Sequence, residues 1–314
     1  MTENALTTIH VACNIDSNYV RHCAVTLASL FENNRSEHFV IHILAGNLTA
    51  SEQGVLVRLG QRYHNEVYFY TPASHLFEGL TIRKFSKRIS MATYYRCLLS
   101  DILPNDVSKV LYLDCDIVVL GSIRAFWDMP LDGVGVAAVE DIGCKEPRRY
   151  EILHYPMEDS YFNAGVLLVN LDYWREHDVP RACIEYFHAY PERILFNDQD
   201  LLNSILHENK LLVDLCWNVQ DGFYRNPSRM TDEWRGKFSD VLKHPVILHY
   251  TNRKPWEYDS QHPLRAEYVR YLDLTPWKGW RPLDNPINRV KRFFRLFPFY
   301  VGLRRAKYVD PAQL

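Results

Sequence analysis

The stretch Lys109–Ser122, KVLYLDCDIVVLGS, places two carboxylates inside an apolar run. Residues 110–113 and 117–120 are apolar, which predicts a buried strand. Asp114 and Asp116 lie between these runs, and residues i and i+2 of a strand point to the same face. Because buried carboxylates without compensation are costly, the pair predicts a divalent-metal site. The alternative is a pair of acids compensated by arginines or helix N-termini.

The composition is that of a globular protein rather than a disordered or membrane-spanning one. The 314 residues are 47% hydrophobic and 24% charged, enough for a large core in one domain or two. The formal net charge of −2 conceals an asymmetry: residues 286–307 carry seven Lys/Arg and no Asp/Glu, against 29 basic and 38 acidic residues elsewhere. Seven cysteines without a C-x-x-C pair argue against a disulfide framework or a zinc knuckle. With no signal sequence or membrane-spanning run, we expect a cytoplasmic protein.

Strand-like and helix-like segments alternate along the chain. Strands are predicted at IHVACNI, FVIHILAG, EVYFYTP, KVLYLDCDIVVL, GVGVAAVED and YFNAGVLLVNL, and helices at YVRHCAVTLASLFENN, TASEQGVLVRLGQRYH, SMATYYRCLLSDIL, VPRACIEYFHAY and NDQDLLNSILHEN. This alternation predicts an α/β fold with a mostly parallel central sheet. Ligands bind such sheets at the carboxyl ends of the strands, where Asp16 and the acidic pair are expected.

Four further positions are polar residues in apolar surroundings. His249 follows the apolar run PVIL and is either a third metal ligand or a structural histidine; two carboxylates and an imidazole favour Mn²⁺ over Mg²⁺. Asn163 needs hydrogen-bond partners if it is buried. Residues 198–200 open an apolar helix, either as caps or as ligand contacts. Arg96 is either an exposed helix charge or an anion contact. Glycine-rich phosphate motifs are absent, but a metal-bridged diphosphate does not need one.

These motifs resemble those of the retaining glycosyltransferase family eight. DSNY, TYYR, LDCD, YFNAGVLLVNL, NDQD and HYTNRKPW occur in the family's order over roughly residues 9–256, most similarly to bacterial lipopolysaccharide galactosyl- and glucosyltransferases. The resemblance implies a GT-A type, Rossmann-like nucleotide-binding fold, a UDP-hexose donor, Mn²⁺ with Mg²⁺ as the alternative, and an α-linked product on a saccharide or lipid-linked acceptor. It also implies a catalytic domain over residues 1–256 and an extension over 257–314.

The resemblance assigns roles to individual residues. The implied metal ligands are Asp114, Asp116 and His249. The implied nucleotide contacts are Asn14, Asp16, Asn18, Tyr19, Cys115 through its backbone, and Lys254 at the diphosphate. The residues implied around the donor sugar are Arg96, Asp141, Asn163, Asp198 and Gln199. Since no carboxylate nucleophile is evident, a front-face displacement is implied, with Gln199 near the reacting face and Asp198 orienting the sugar hydroxyls.

Two other functions are compatible with parts of this pattern. A haloacid-dehalogenase-type phosphatase also has a strand-terminal D-x-D, but there the motif follows the first strand and a second acidic motif comes later. A sugar-nucleotide-binding protein without catalysis would keep the same donor residues. Hydrolysis of a UDP-hexose distinguishes a transferase from such a binding protein.

The segment PINRVKRFFRLFPFYVGLRRAK, residues 286–307, predicts an amphipathic helix that ends at Pro298. Five apolar residues fall within an arc of about 120° with the basic residues opposite, namely Ile287, Val290, Phe293, Phe294 and Phe297. This pattern predicts an in-plane anchor on anionic lipid, at the inner face of the cytoplasmic membrane. The alternative is a terminal helix packed on the body. Nucleic-acid binding is not expected, because the aromatic residues cluster on one face.

Overall fold

A computed structural model describes residues 8–72, 91–226, 232–309 and 311. Its strands are β1 (Ile9–Ile15), β2 (Phe39–Ala45), β3 (Glu66–Tyr70), β4 (Lys109–Leu113), β5 (Ile117–Val119), β6 (Val136–Glu140), β7 (Phe162–Asn170), β8 (Lys210–Leu212), β9 (Val219–Gln220) and β10 (Ile247–His249). Its α-helices are α1 (Val20–Asn33), α2 (Ala50–Arg62), α3 (Leu99–Ile102), α4 (Arg124–Trp127), α5 (Pro147–Leu153), α6 (Leu171–Glu176), α7 (Val179–Ala189), α8 (Asp198–Leu206), α9 (Asp232–Lys243), α10 (Arg265–Leu272) and α11 (Pro286–Tyr300).

The described strands form a seven-stranded sheet of order β3-β2-β1-β4-β7-β6-β8. Only β7 runs antiparallel to its neighbours β4 and β6; the other pairs in this sheet are parallel. The predicted α/β fold with a mostly parallel sheet is therefore confirmed. The predicted helix start at Thr49 is also confirmed, because Thr49 and Glu52 form a reciprocal capping box that satisfies two amides at the start of α2.

The stretch predicted as one strand is two strands that belong to different sheets. β4 lies in the large sheet, whereas β5 pairs with β10 in a three-stranded sheet of order β5-β10-β9. Asp114 and Asp116 lie in the turn between them, where the Asp114 amide donates to the Gly165 carbonyl at 2.8 Å. The prediction of a continuous strand was wrong because the chain changes sheets at this point.

A second local prediction also needs correction. The segment SMATYYRCLLSDIL was predicted as one helix, but it forms a 3₁₀-helix over Met91–Leu98 followed by the short α3. Ser90 lies outside the described residues. The 3₁₀ turns place Thr93 and Arg96 on the wall of the same cavity as the turn after β4.

The core lies on both faces of the large sheet. One face packs against α1 and α2, and the other packs against α7 and α8. Helix α10, in the predicted C-terminal extension, joins the first core: its Tyr268 hydroxyl bonds His22 Nδ1 at 2.7 Å, and Tyr271 accepts from Asn33 at 2.7 Å. The boundary at residue 256 stays a prediction.

Helix α11 packs on the body through its basic side and leaves its aromatic side exposed. Leu296 is 1% exposed, Arg292 donates to the Tyr258 carbonyl at 2.6 Å and Arg295 pairs with Asp259 at 2.7 Å. The five apolar residues of the predicted arc are 44–71% exposed. Pro298 does not end the helix as predicted, because the next turn is closed by the Val301 amide bonding the Phe297 carbonyl at 3.1 Å. In the described ranges, no helix has the length and apolarity needed to cross a membrane.

Candidate active site

The acidic pair and His249 come together as the sequence predicts. Their ligand atoms all lie within 4.8 Å of one another. His249 Nε2 lies 3.1 Å from Asp116 Oδ1 and 3.8 Å from Asp114 Oδ2. β10 positions the imidazole, because its pairing with β5 sets His249 opposite Ile117, directly after the acidic turn. Two carboxylates and an imidazole are a donor set that suits Mn²⁺.

Two residues that were not predicted from the sequence determine the position of His249: Asn218 orients its ring, and Gly165 leaves room for it. His249 Nδ1 bonds the side-chain oxygen of Asn218 at 2.9 Å, and Asn218 in turn donates to Asn163 Oδ1 at 2.9 Å. This chain assigns the proton to Nδ1 and leaves Nε2 available as a ligand atom. Gly165 is the second: a Cβ there would lie 2.1 Å from His249 Cε1 and 2.8 Å from Asp114 Oδ2. The polar Asn218 within the apolar LCWNV was the available signal.

Each carboxylate of the pair also has a cation of the protein. Arg96 Nη2 lies 2.7 Å from Asp114 Oδ1, which also accepts from the Tyr112 hydroxyl at 2.8 Å. Lys254 donates to Asp116 Oδ2, and to the Tyr250 carbonyl at 2.8 Å. Burial raises the pKa of Asp116, but the charge of Lys254 is the largest of the opposing influences, which together outweigh burial and hold this pKa well below its ordinary range. The carboxylate is therefore ionised.

Arg96 connects the acidic pair to the residues predicted at the donor sugar. Its Nε lies 3.0 Å from Asp198 Oδ2, and its Nη1 donates to the Ala164 carbonyl at 2.7 Å. Burial lowers the pKa of the guanidinium, but Asp114 and Asp198 outweigh burial and raise it well above its ordinary value. Arg96 is 8% exposed and is therefore not the exposed helix charge of the alternative.

Asp198 lines the smaller cavity and does not cap its own helix. Its carboxylate accepts from the Thr93 hydroxyl and pairs with Arg96, both on the 3₁₀-helix Met91–Leu98. The N-cap residue of α8 is Asn197, whose side chain makes no capping hydrogen bond. Burial raises the pKa of Asp198 to about 6, in spite of Arg96. The nearby Asp200 accepts from the Leu195 and Phe196 amides, each at 2.6 Å, and so stabilises the preceding loop.

Gln199, Asn163 and Asp141 form one hydrogen-bonded group. Asp141 Oδ2 accepts from Asn163 at 3.0 Å and from Gln199 Nε2 at 3.2 Å, while Gln199 Oε1 accepts from the Ala164 amide at 3.0 Å. Burial raises the pKa of Asp141, but Arg149, with an Nη1 to Oδ1 distance of 3.0 Å, outweighs burial and lowers it. Asn163 and Gln199 line the site, whereas Asp141 positions them from behind.

Two adjoining cavities meet at the acidic pair. The larger, of about 590 Å³, is lined by Asn14, Asp16, Tyr19, Cys115, Asp116 and Lys254 among others. The smaller, of about 270 Å³, is lined by Asn163, Asp198, Gln199 and His249. Asp114, Asp116, Arg96 and Thr93 line both. The larger cavity holds the residues predicted for the nucleotide except Asn18, and the smaller one holds those predicted for the sugar except Asp141.

Some placements differ from the sequence-based expectation. Asn18 is exposed and lines a neighbouring cavity; its backbone amide donates to Asp16 Oδ1 at 2.9 Å. Arg225 and Arg253 line the larger cavity beside Lys254, and each of the three cations is paired with a carboxylate of the protein, namely Asp221, Glu257 and Asp116. Neither arginine was predicted from the sequence. Arg253 directly precedes the predicted diphosphate lysine, and that pair of adjacent cations was the available signal.

Comparison with known proteins identifies the family to which this chain is similar. The family model of glycosyl transferase family 8 matches residues 10–260. General stress protein A of Bacillus subtilis is 27% identical over 277 residues, which cover 86% of this chain and 94% of that protein. The lipopolysaccharide 1,3-galactosyltransferase of Salmonella typhimurium is 27% identical over 285 residues, which cover 89% and 82%.

A solved structure has a closely similar fold. The galactosyltransferase LgtC, in complex with donor and acceptor sugar analogues, superposes with a TM-score of 0.77 over 85% of this chain and 96% of that one, at 23% identity. This similarity shows that the chain has the GT-A fold.

Proposed function

Because the chain belongs to glycosyl transferase family 8, we propose that it moves a hexose, galactose or glucose, from a UDP-sugar to a saccharide acceptor, with Mn²⁺ and with retention of the α configuration. The acceptor is a lipopolysaccharide core or another lipid-linked glycan. The family match over most of the chain disfavours the phosphatase alternative.

The observation that carries this proposal is the position of the metal-ligand set. One oxygen of each carboxylate and Nε2 of His249 converge where the two cavities meet. A nucleotide in the larger cavity and a sugar in the smaller one would have the diphosphate between them at this point. A divalent ion held there neutralises diphosphate charge as a Lewis acid.

The residues of the chain contribute binding, orientation and charge. Lys254, Arg225 and Arg253 line the cavity proposed for the nucleotide, where their positive charges would stabilise the charge that develops on the leaving UDP. Asp198 and Arg96 orient the sugar hydroxyls. Gln199, fixed by the Ala164 amide and Asp141, presents its amide to the reacting face.

The test is UDP binding and UDP-hexose hydrolysis with and without Mn²⁺. Asp116→Asn should abolish Mn²⁺-dependent UDP binding and hydrolysis, because it removes charge at constant shape, whereas Asp172→Asn, at an exposed acid of α6, should change neither. Near wild-type turnover of Asp116→Asn in EDTA-treated buffer would contradict the metal assignment. Binding of UDP-hexoses without hydrolysis or transfer would support a non-catalytic protein, and an inverted product by NMR would contradict retention.

We also propose that α11 attaches the protein to the cytoplasmic face of the membrane. The exposed aromatic side, with Phe294 at 71% exposure, and the exposed Arg304 and Arg305 of the segment after it suit an anionic interface. Deletion of the whole tail is a poor test, because the Tyr308 hydroxyl donates to the buried Asp221 at 2.7 Å. The triple change Phe293→Ser, Phe294→Ser and Phe297→Ser leaves that contact intact.

Liposome co-sedimentation with anionic and neutral vesicles measures this attachment. The triple variant should keep UDP-hexose hydrolysis and lose most binding to anionic vesicles, and wild-type binding should weaken as salt rises. If wild-type protein ignores anionic vesicles at low salt, the membrane proposal is wrong.

A further inference from the structure

A third cavity adjoins the sugar end of the site and is rich in arginine. We call it the arginine groove; its volume is about 520 Å³, and its lining includes Arg148, Arg149, Arg193, Leu195 and Phe196. Phe196 also lines the smaller cavity that holds Asp198 and Gln199. The groove therefore starts where the donor sugar is proposed to lie, on the side away from the nucleotide.

One of the three arginines is committed to the protein. Arg149 binds Asp141 at 3.0 Å and lies over the ring of Tyr161, with its guanidinium carbon 4.0 Å from the ring centroid. Asp200, an acid of the groove lining, is committed too: its Oδ1 accepts from Tyr161 at 2.6 Å and its Oδ2 accepts from the Leu195 and Phe196 amides. Neither group is available to neutralise a ligand.

The two other arginines are available. Arg148 is exposed, and in the ranges that the structure describes it has no ion pair or hydrogen bond. Arg193 stacks on Tyr190 and lies 3.8 Å from the exposed Glu192, too far for a strong hydrogen bond. Glu146 also lines the groove, so two available arginines face one acid. The groove is therefore a site of net positive charge.

The groove surface between these charges is apolar. Phe196 is 47% exposed, and Ile152, Leu153 and Leu195 lie beside it in the lining. An exposed aromatic ring suits the apolar face of a pyranose, and arginine binds phosphate or carboxylate through two parallel hydrogen bonds. A neutral glycan would use the ring but would leave both guanidinium groups without an anionic partner.

We propose that the acceptor is an anionic saccharide, whose phosphate or carboxylate binds Arg148 and Arg193 while its ring packs on Phe196. This inference rests on the proposed transferase function and specifies the acceptor class for the same site. Arg148 and Arg193 then determine specificity for the acceptor and take no part in binding the donor, because neither lines the cavities proposed for the nucleotide and for the donor sugar.

The test compares one sugar in neutral and charged forms. Glucose, glucose 6-phosphate, glucose 1-phosphate and glucuronate are titrated by saturation-transfer NMR in the presence of UDP and the diamagnetic Mg²⁺, and are then assayed as acceptors with Mn²⁺. The variants are Arg148→Gln, Arg193→Gln and the double change. Arg181→Gln, at an arginine of α7 that is 71% exposed, is the matched control.

At least one anionic sugar should bind about tenfold more tightly than glucose, the gain of about one added ion pair. The double variant should remove that gain by raising KM, with kcat and the affinity for glucose unchanged, and Arg181→Gln should have no effect. The phosphate and carboxylate forms distinguish which anion is recognised.

Equal binding of glucose and of all three anionic sugars would overturn the proposal. If the double variant loses as much affinity for glucose as for the anions, the arginines are structural and the proposal is overturned. If it binds all the sugars as wild type does but no longer binds vesicles, the groove binds lipid and the proposal is also overturned. The binding arm does not need turnover. If the anionic sugars bind as expected and no UDP-hexose is turned over, the proposed function fails and the anion site stands.

Discussion

Gly165→Ala is the smallest change that tests whether the metal-ligand set works as the geometry indicates. Gly165 lies in β7, beside the turn that holds the acidic pair, and its carbonyl accepts from the Asp114 amide at 2.8 Å. A Cβ at this position would lie 2.1 Å from His249 Cε1 and 2.8 Å from Asp114 Oδ2. One added methyl group therefore meets two of the three proposed ligands.

The size of the effect follows from the distances. A normal carbon–carbon contact is about 3.5 Å, so the imidazole must move by about 1.4 Å from its position 2.1 Å from the new Cβ. Metal–ligand distances tolerate about 0.2 Å, so His249 would no longer coordinate. Losing a contact that merely orients a ligand weakens metal affinity about 10–100-fold. Losing the ligand itself should therefore weaken Mn²⁺ binding at least about 100-fold, or about 2.7 kcal/mol.

The fold should survive this change. Overpacking a core costs about 1–3 kcal/mol, against a typical unfolding free energy of about 5–15 kcal/mol. Calorimetric titration of Mn²⁺ with UDP measures the affinity, and urea unfolding checks the fold. Gly236→Ala, at an exposed position of α9 with open space around it, is the matched control and should leave Mn²⁺ binding unchanged.

The double variant Gly165→Ala, His249→Ala shows whether the loss of Mn²⁺ affinity is caused by displacement of the imidazole. If the methyl group acts through the imidazole, adding Gly165→Ala to His249→Ala should cost less than about tenfold in further Mn²⁺ affinity, because contacting residues are not additive. The reasoning is refuted if Gly165→Ala alone binds Mn²⁺ within about threefold of wild type, since a displaced ligand costs far more than that.

Three further predictions concern other parts of the site and the core. Asp198→Ala should reduce transfer by orders of magnitude while UDP affinity measured by calorimetry stays near wild type; equal losses in both would mark Asp198 as structural. Asn218→Ala should lower Mn²⁺ affinity about 10–100-fold through the freed His249 ring; unchanged affinity would exclude that orienting role. Burial, and then His10, lower the pKa of His42 from its ordinary 6.5 to about 4, so its contribution to stability is present above pH 6.5 and is lost as the pH falls toward 4. In urea unfolding, His42→Gln should therefore reduce the loss of stability between pH 7 and pH 5 by about 2 kcal/mol, and an unchanged pH dependence would contradict this.

The fold was predictable where one residue pattern determines one element. The strand β1 and the helix α2 follow from an apolar run and a capping box, and the structure has both. The break between β4 and β5 was not predictable, because pairing with β10, more than 120 residues later in the chain, removes β5 from the large sheet. Pairing between strands distant in sequence leaves no local signal.

In the site, too, some residues were predictable from the sequence and others were not. Asp114, Asp116 and Asp198 stand out because charge in an apolar run needs compensation. Gly165 and Asn218 do not stand out, because their roles are to leave room for His249 and to orient it, and both depend on which side chains come near them in space. The proposed metal ligands could be found from the sequence, whereas the residues that position them required the structure.

The two readings of the acidic pair, a metal site or acids compensated by arginine, do not exclude each other. Asp114 Oδ1 accepts hydrogen bonds from Arg96 and Tyr112, and Asp116 Oδ2 accepts one from Lys254. The remaining oxygens, Asp114 Oδ2 and Asp116 Oδ1, face His249 Nε2. Asp116 therefore has one oxygen that binds the protein and one directed at the proposed cation, whereas Asp114 Oδ2 faces the same point and also accepts from Arg96 Nη1 at 3.4 Å. Protein cations alone would not require an imidazole whose Nε2 is kept as an acceptor by Asn218, so the orientation of His249 is the feature that favours a metal ion.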